Sequence, residues 1–410
     1  MSDQQADDSR LAASHERAHE MDNGNAPGKL RVLVVEDSAL YRQNLLNVLR
    51  RIEGVDVIGT AANGEIALQR IAELQPDLIT LDVEMPVMDG IETLRQIKTR
   101  GLSTVAIMVS SLTLRGAAVT MDALFEGAFD FVTKPCGGLH ASSDVLRTML
   151  EEKINALRFS RRVKRIQNWS RDFRGKSKTG SPDVVGESDN ASPLAALRER
   201  RASGLGASSM AVPKSQKSNA HSIVVLGAST GGPRALRMIL PRLATDLPTP
   251  VIVVQHMPAK FTGAMANRLN SSCPMQVSEI HQSMPLPPGG VYLAPGGQHL
   301  ELAHDGKQYV AVLQDPSPTS FYSPSVDVTL ESAASIAGAN ALAVIMTGMG
   351  SDGMRGGTAL RNAGGSVFAQ DEATSDVFGM PKSVIEAGVA DRILSLGKIA
   401  PAISRHFSGV

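Results

Sequence analysis

Short apolar runs alternate with longer amphipathic stretches from residue 30 to about residue 158. The apolar runs have the length of strands, and apolar residues in the stretches between them recur with helical spacing. This alternation is typical of βαβ units that build a parallel sheet. It predicts strands at Arg31–Glu36, Val55–Ala61, Leu78–Leu81, Val105–Ser110 and Phe129–Val132, and helices at Ala39–Arg51, Gly64–Leu74, Ile91–Thr99, Ala117–Glu126 and Ser143–Arg158.

The alternation resumes at Ser222 and predicts a second, larger α/β domain, doubly wound around a mostly parallel sheet. A helix is expected at Val326–Ala337. The predicted strands are Ile223–Leu226, Val251–Gln255, Val291–Ala294, Tyr309–Leu313, Ala341–Met346 and Ser366–Ala369.

Two polar segments flank the first domain. Residues 1–28 are rich in Asp, Ser, Gln and Asn, which predicts disorder. Residues 159–218 hold clustered Arg and Lys and then Ser, Gly, Asn and Pro, which favours a solvated tether over a nucleic-acid or membrane patch. The predicted organisation is an extension at 1–28, a first domain at 29–148, a helix extension and basic linker at 149–220, and a second domain at 221–410.

The composition narrows the class of protein. The 410 residues include 41 Lys and Arg against 41 Asp and Glu, so no net field attracts nucleic acid or a membrane surface. The two cysteines, Cys136 and Cys273, show neither metal-ligand spacing nor a disulfide framework, which fits a reducing compartment. No apolar run is long enough to span a membrane. We therefore expect a cytoplasmic protein that is not an integral membrane protein and does not bind nucleic acid.

Polar side chains follow the predicted strands of the first domain. Glu36 and Asp37 end the first strand, Asp82 the third and Ser110 the fourth, and Lys134 follows the fifth. Ligands bind beyond the carboxyl ends of strands in such sheets, so these side chains are expected to converge. Packed carboxylates repel one another, and Mg²⁺ relieves that repulsion with oxygen ligands. With Lys134, the cation neutralises a phosphoryl group placed on Asp82.

A second constellation follows strands of the second domain. Ser229 lies in a glycine-rich turn between a buried strand and a helix, a position that exposes a nucleophilic hydroxyl. His256 follows the next strand and is the candidate base. Asp352 follows the strand Ala341–Met346 and is the candidate acid that orients the imidazole. The glycines around Asp352 leave backbone N–H groups free to reach an oxyanion.

Two local motifs suggest other families. Residues 227–231 match G-x-S-x-G, but α/β-hydrolases place their acid between serine and histidine along the chain, whereas the order here is Ser229, His256, Asp352. Residues 348–353 match G-x-G-x-x-G, a dinucleotide fingerprint, but the charge of Asp352 opposes a pyrophosphate.

The first domain resembles the receiver domain of bacterial response regulators over about Leu30 to Thr148. The matching pieces are residues 35–38 (VEDS), 81–90 (LDVEMPVMDG), 110–111 (SS) and 134–135 (KP). The resemblance implies a (βα)5 fold with a five-stranded parallel sheet. It also implies that Asp82 is the phosphoacceptor, that Glu36, Asp37, Asp82 and the carbonyl of Glu84 hold Mg²⁺, that Ser110 and Lys134 sense the phosphoryl group, and that Phe131 is an aromatic switch residue.

The second domain resembles the catalytic domain of chemotaxis protein-glutamate methylesterases, the CheB family, over about Ser222 to Ser404. The matching pieces are residues 227–233 (GASTGGP), 254–258 (VQHMP), 294–299 (APGGQH) and 347–353 (TGMGSDG). The resemblance implies that Ser229 is the nucleophile, His256 the base and Asp352 the orienting acid, that the Met349 N–H contributes to the oxyanion hole, and that Thr230 lies beside the nucleophile.

The combined resemblance implies a hydrolase controlled by phosphorylation. Its substrates are glutamate γ-methyl esters on methyl-accepting chemoreceptors, with deamidation of receptor glutamines as a second activity. A sensor histidine kinase is the phosphodonor, Mg²⁺ serves the receiver, and ester hydrolysis uses no cofactor. The unphosphorylated receiver is expected to cover the Ser229 cleft. Two alternatives are a second domain that only binds a partner and a DNA-binding output domain, although no compact helix-turn-helix pattern follows Ser222.

Overall fold

The computed structural model describes residues 29–134, 143–160, 222–317 and 321–407. The predicted extension at 1–28 and the linker at 161–220 lie outside these residues. Among the described residues, no helix combines the length and the apolar character needed to cross a bilayer.

The N-terminal domain (29–160) is built on a five-stranded parallel sheet with strand order β2-β1-β3-β4-β5. Its central strands carry nearly unbroken apolar runs because helices cover both faces of the sheet, whereas the edge strand β2 is only partly buried. The five predicted strands are confirmed to within one residue at each end. They are β1 (Leu30–Val35), β2 (Val55–Ala61), β3 (Leu78–Asp82), β4 (Val105–Ser110) and β5 (Asp130–Thr133).

The helices of this domain begin at polar residues that cap them. The side chains of Ser38, Asn63, Asp89 and Thr113 each accept a hydrogen bond from a backbone N–H of the first turn. The cap at Thr113 starts its helix three residues before the predicted position. The helices are α1 (Ala39–Leu49), α2 (Gly64–Leu74), α3 (Gly90–Thr99), α4 (Leu114–Glu126) and α5 (143–160).

The C-terminal domain (222–407) is built on a seven-stranded sheet in the order β15-β14-β13-β6-β7-β10-β8. Every strand pair in it is parallel, as the apolar runs predicted. The strands are β6 (Ile223–Ala228), β7 (Val251–Gln255), β8 (Gln276–Glu279), β10 (Gly290–Leu293), β13 (Ala341–Ile345), β14 (Ser366–Gln370) and β15 (Arg392–Leu394).

Six helices surround this sheet, and α8 agrees with the predicted bounds. They are α6 (Gly232–Ile239), α7 (Phe261–Asn270), α8 (Val326–Ala337), α9 (Met354–Asn362), α10 (Met380–Glu386) and α11 (Leu396–Phe407). A separate three-stranded antiparallel sheet, in the order β11-β12-β9, is formed by β9 (Met284–Pro285), β11 (His299–His304) and β12 (Tyr309–Gln314).

The strand order places three neighbouring strands at the centre of the larger sheet. β6 is fully buried and pairs with β13 on one side and β7 on the other. Because the three strands are parallel, their carboxyl ends meet at one edge. The segments that follow these strands carry Ser229, His256 and the loop 347–353.

Helix α8 packs unusually close to β6 at Gly227. A β-carbon built on Gly227 would lie 2.6 Å from Cγ1 of Val326, which is fully buried at the first position of α8. We predict that Gly227→Ala lowers the free energy of unfolding by about 1–3 kcal/mol, because a well-packed core resists added volume.

The measurement is urea unfolding followed by circular dichroism, with Gly397→Ala as the matched control. A β-carbon on Gly397, in α11, meets no atom within 4 Å, so its unfolding midpoint should be unchanged or slightly raised. Equal midpoints for the two variants would show that the approach of α8 to β6 is not tight.

Candidate active site

Ser229 is held at the turn from β6 to α6. Its N–H donates to the carbonyl of Thr347 (3.0 Å), and its own carbonyl accepts the side-chain amide of Gln255 (2.9 Å). Gly231, two residues on, has φ +81°, a conformation that glycine adopts without strain. These contacts fix the backbone, so the hydroxyl of the nearly buried Ser229 has a defined position.

His256 and Asp352 form a direct pair. His256 Nε2 lies 2.7 Å from Asp352 Oδ2, and both side chains are almost completely buried. The backbone N–H of His256 also donates to the carbonyl of Ala228 (3.0 Å), which ties the histidine to the strand that precedes Ser229. The predicted convergence of the three residues therefore follows from the strand order.

The Asp352 carboxylate lies at the N-terminus of α8. It accepts hydrogen bonds from the Ser325 hydroxyl (3.0 Å) and from the N–H groups of Val326 (2.7 Å) and Asp327 (2.8 Å). A helix N-terminus stabilises negative charge. Burial alone would raise the pKa of Asp352, but the hydrogen bond and charge of His256 and these N–H donors together hold it below its usual range. Asp352 therefore stays ionised beside the imidazole.

Sequence reasoning did not find Ser325 and Asp327. Asp327 accepts the N–H groups of Gly353 and Gly356, each at 2.8 Å, and so fixes the turn that carries Asp352. The available signal was Ser325, a residue type that caps helices, directly before the predicted helix Val326–Ala337. What the pattern did not reveal is that Asp352 would lie at this helix end.

The second nitrogen of the imidazole is not used by the pair with Asp352. His256 Nδ1 is buried and has no hydrogen-bond partner within the part of the chain that the structure describes. Ser229 and His256 line one cavity of about 470 Å³. No hydrogen bond joins the two side chains in the described residues, and catalytic hydrogen bonds are often loose before substrate binds. Nδ1 is thus the nitrogen available to accept the serine proton.

The loop after β13 supplies a candidate oxyanion donor. The N–H of Met349 has no acceptor among the described residues, whereas the neighbouring Gly348 N–H donates to the carbonyl of Val377 (3.0 Å). A β-carbon on Gly348 would lie 2.8 Å from Cβ of Ser229, so this loop passes directly against the serine. Backbone donors aimed at such a position stabilise a tetrahedral oxyanion.

A second cluster lies at the edge of the N-terminal sheet. Lys134 Nζ lies 2.8 Å from Asp82 Oδ2 and 3.0 Å from Glu36 Oε2. Carboxylate oxygens of Glu36, Asp37 and Asp82 lie within 4.8 Å of one another. Burial and the charge of Asp82 raise the pKa of Glu36 to about 7. Mg²⁺ prefers oxygen ligands, and its charge would relieve the repulsion between these carboxylates.

One predicted residue of this cluster faces away from it. Glu84 was predicted to contribute its backbone carbonyl, and its side chain pairs with Arg115 (3.2 Å). The buried Ser110 hydroxyl accepts a hydrogen bond from Thr120 (2.6 Å) and lies 3.3 Å from the carbonyl of Gly116, so it faces α4. The structure therefore brings Glu36, Asp37, Asp82 and Lys134 together, with Ser110 turned aside.

The two domains meet at the cavity that holds Ser229. Asp130, the first residue of β5, accepts a hydrogen bond from the Thr230 hydroxyl (2.5 Å) and an ion pair from Lys153 of α5 (3.1 Å). Burial alone would lower the pKa of Lys153, but Asp130 and Glu152 raise it above its usual value. A residue of the N-terminal domain thus directly contacts Thr230, the residue that follows Ser229.

Apolar and charged contacts extend this interface. Phe131 stacks on Phe261 of α7 with ring centroids 4.6 Å apart. Arg268 pairs with the half-exposed Asp122 of α4 (2.6 Å). Among the residues that line the cavity, Met149, Glu152 and Lys153 come from α5. The N-terminal domain therefore forms one wall of the cavity that contains Ser229 and His256.

Comparison with known proteins shows the family. Residues 224–403 match the CheB methylesterase family, and residues 32–142 match the response regulator receiver domain family. A "Protein-glutamate methylesterase/protein-glutamine glutaminase" of Nocardioides sp. is 40% identical over 384 residues, which cover 93% of this chain and 96% of that protein. The chain belongs to the CheB methylesterase family.

A further relative and two solved structures are also similar to this chain. A Bacillus licheniformis protein of the same name is 41% identical over 378 residues, which cover 92% of this chain and 98% of that protein. The CheB methylesterase catalytic domain of Thermotoga maritima is 44% identical, covering 45% of this chain and 98% of that chain with a TM-score of 0.45. The response regulator domain of Thermotoga maritima CheB is also 44% identical. The match covers 31% of this chain and 94% of that chain, with a TM-score of 0.29.

Replacement of Ser325 tests how the methylesterase holds Asp352. We predict that Ser325→Ala lowers kcat about tenfold, because a hydrogen bond to a charged group contributes roughly 1.5–3 kcal/mol and two backbone donors remain. The measurement is methanol release from methylated substrate. The control is Ser335→Ala, an exposed position of the same helix, which should leave kcat unchanged. Equal rates for both variants would contradict a role of Ser325 at Asp352.

Proposed function

We propose that this methylesterase hydrolyses glutamate γ-methyl esters on chemoreceptors, with Ser229 as nucleophile, His256 as general base and Asp352 as orienting acid. The observation that carries the proposal is the His256–Asp352 pair, in which the second nitrogen of His256 is buried and unpaired within the described residues. His256 lines the same cavity as Ser229. The names of the relatives support the same reaction.

The first half-reaction forms an acyl-enzyme. Ser229 Oγ attacks the ester carbonyl carbon while its proton passes to His256 Nδ1, and the carbonyl electrons move to oxygen. The Met349 N–H stabilises this oxyanion, with Thr230 adjacent. When the oxyanion collapses, the C–O bond to the methoxy group breaks and the imidazolium protonates the leaving group. Methanol departs, and the glutamate acyl group remains on Ser229.

The second half-reaction releases the product. Water attacks the acyl carbon and gives one proton to His256, which then returns it to the departing Ser229 Oγ. The product is a glutamic acid side chain, which releases the second proton of the water to solvent and becomes a carboxylate. A glutamine side chain offers an equivalent carbonyl with ammonia as the leaving group, so deamidation follows the same path. His256 carries the proton in each transfer to or from Ser229.

The receiver is assigned the regulatory reaction. We infer that a sensor histidine kinase phosphorylates Asp82 and that Lys134 and Ser110 sense the phosphoryl group. Glu36, Asp37, Asp82 and the carbonyl of Glu84 are the residues that would hold Mg²⁺, which when bound neutralises phosphoryl charge. Ser110 faces α4 in this structure, so its hydroxyl has to turn away from α4 to contact a phosphoryl group on Asp82.

The interface supports control by occlusion. Asp130, Phe131 and Lys153 of the receiver line the cavity of Ser229, and a receptor helix has to displace them to present its ester. Phosphorylation at Asp82 shifts the equilibrium towards undocked receiver if it weakens this interface. This proposal places the reaction in the cytoplasm, at the cytoplasmic region of the receptor.

The nucleophile is tested by Ser229→Ala. We predict that methanol release from methylated receptor membranes falls about 10³-fold or more, because the acyl-enzyme cannot form. Phosphorylation of Asp82 by a small phosphodonor with Mg²⁺ should remain at the wild-type level. Methanol release near the wild-type rate would remove Ser229 from the nucleophile role, and would leave only a binding role for its cavity.

The occlusion is tested by Asp130→Ala in the full chain. Asp130 accepts the hydrogen bond that Thr230 donates across the two domains. A hydrogen bond to a charged group contributes roughly 1.5–3 kcal/mol, so docking should weaken and methanol release without phosphodonor should rise. The matched control is Asp122→Ala, since its half-exposed pair with Arg268 contributes only about 0–1 kcal/mol. The rate after phosphorylation should be equal in wild type and both variants. Unchanged or lower unphosphorylated activity in Asp130→Ala would contradict occlusion.

A further inference from the structure

We propose that Tyr322 is a positioning residue for catalysis: its ring stacks on His256 and fixes the plane in which the imidazole meets Ser229. The two rings lie face to face, with centroids 4.1 Å apart and planes 8° from parallel. Tyr322 is half-buried and lines the same cavity as Ser229 and His256. The inference rests on the proposed roles of Ser229 and His256.

The need for a second constraint follows from the geometry of the imidazole. The hydrogen bond from Nε2 to Asp352 holds one edge of the ring. A single hydrogen bond still allows the ring to rotate about the axis of that bond. Nδ1 has no hydrogen-bond partner in the described residues, so no second polar contact defines the ring plane. The flat face of Tyr322 supplies that plane.

The position of Tyr322 is itself fixed by contacts on both sides. The carbonyl of Ser323 accepts the N–H of Gly297 (3.0 Å), which ties this segment to the loop after β10. A β-carbon on Gly350 would lie 3.2 Å from Tyr322 Oη, so the hydroxyl end of the ring lies over the loop that carries Asp352. The same segment reaches Asp352 through Ser325. One short segment thus contacts both members of the His256–Asp352 pair.

The stacked ring also suits the charge that develops during the reaction. Each half-reaction passes through an imidazolium, and the face of an aromatic ring carries negative potential that attracts a cation. The phenol ring therefore interacts more strongly with His256 after proton transfer than before it. An interaction that strengthens along the reaction raises kcat and leaves substrate binding unchanged.

The experiment compares three variants of the full chain, activated by a small phosphodonor with Mg²⁺. Tyr322→Phe keeps the stacked ring and loses only the hydroxyl, Tyr322→Leu keeps an apolar side chain without a flat face, and Tyr322→Ala removes both. kcat and KM are measured by methanol release from methylated receptor membranes. Thermal unfolding is recorded for each variant.

We expect Tyr322→Phe to retain a kcat close to that of wild type. Tyr322→Leu and Tyr322→Ala should lower kcat up to about 10²-fold with KM unchanged, because misplaced catalytic groups cost about that factor. A merely structural role would change thermal unfolding and would not separate kcat from KM. Wild-type kcat in Tyr322→Leu overturns the proposal, and a loss in Tyr322→Phe as large as in Tyr322→Ala also overturns it, since the hydroxyl would then be the active group.

A spectroscopic readout is independent of turnover. The proton between His256 and Asp352 should give a far-downfield proton resonance that is sharp in wild type and Tyr322→Phe and broadened by ring motion in Tyr322→Ala. The same signal in wild type and Tyr322→Ala contradicts the positioning role. Ser229→Ala and His256→Gln are assayed in parallel to separate the proposed triad from the role of Tyr322. If these two variants retain activity, the proposed triad is wrong. If they are inactive and Tyr322→Leu is fully active, only the role of Tyr322 is wrong.

Discussion

The buried carboxylate of Asp352 is the constraint on which the catalytic arrangement depends. A charge removed from water is costly unless it is paired and hydrogen-bonded. Here the cost is offset by His256, by the Ser325 hydroxyl and by two backbone donors at the start of α8. Those requirements fix the end of α8, the loop after β13 and the residue after β7 relative to one another. The geometry of the site is therefore a consequence of satisfying one buried charge.

A second buried acid couples the two domains. Asp130 satisfies its charge with Lys153 of its own domain and with the hydroxyl of Thr230, which is adjacent to the nucleophile. The stacked rings of Phe131 and Phe261 bury apolar surface beside it. Phe131 lies on β5, and this strand ends at Thr133, directly before Lys134. β5 therefore carries residues of the domain interface and leads into the lysine that contacts Asp82. A change at Asp82 thus has a short physical route to the cavity of Ser229.

Much of the fold could be predicted because apolar runs in buried parallel strands are nearly unbroken. The strands β1, β3 and β4 of the receiver and the central strands β6, β7 and β13 have this pattern, and the helix Val326–Ala337 was predicted with correct bounds. The edge strands β2 and β5 were predicted although polar residues interrupt them. The strands β8, β9, β11 and β15 were missed. β8, β9 and β15 are two to four residues long, and β11, with six residues, belongs to the separate antiparallel sheet. Such short strands bury too few side chains to leave a periodic pattern in the sequence, and they form because they pair with a neighbouring strand.

The sequence by itself determined the candidate residues of both sites, because Ser229, His256, Asp352 and the acidic residues of the receiver each follow a buried strand. It also indicated the family through motifs local to those strand ends. Only the tertiary structure decided which nitrogen of His256 faces Asp352, that Ser110 turns towards Thr120, and that Asp130 reaches Thr230. The physical reason is that side-chain partners across a fold are set by strand order and packing, which no local pattern encodes.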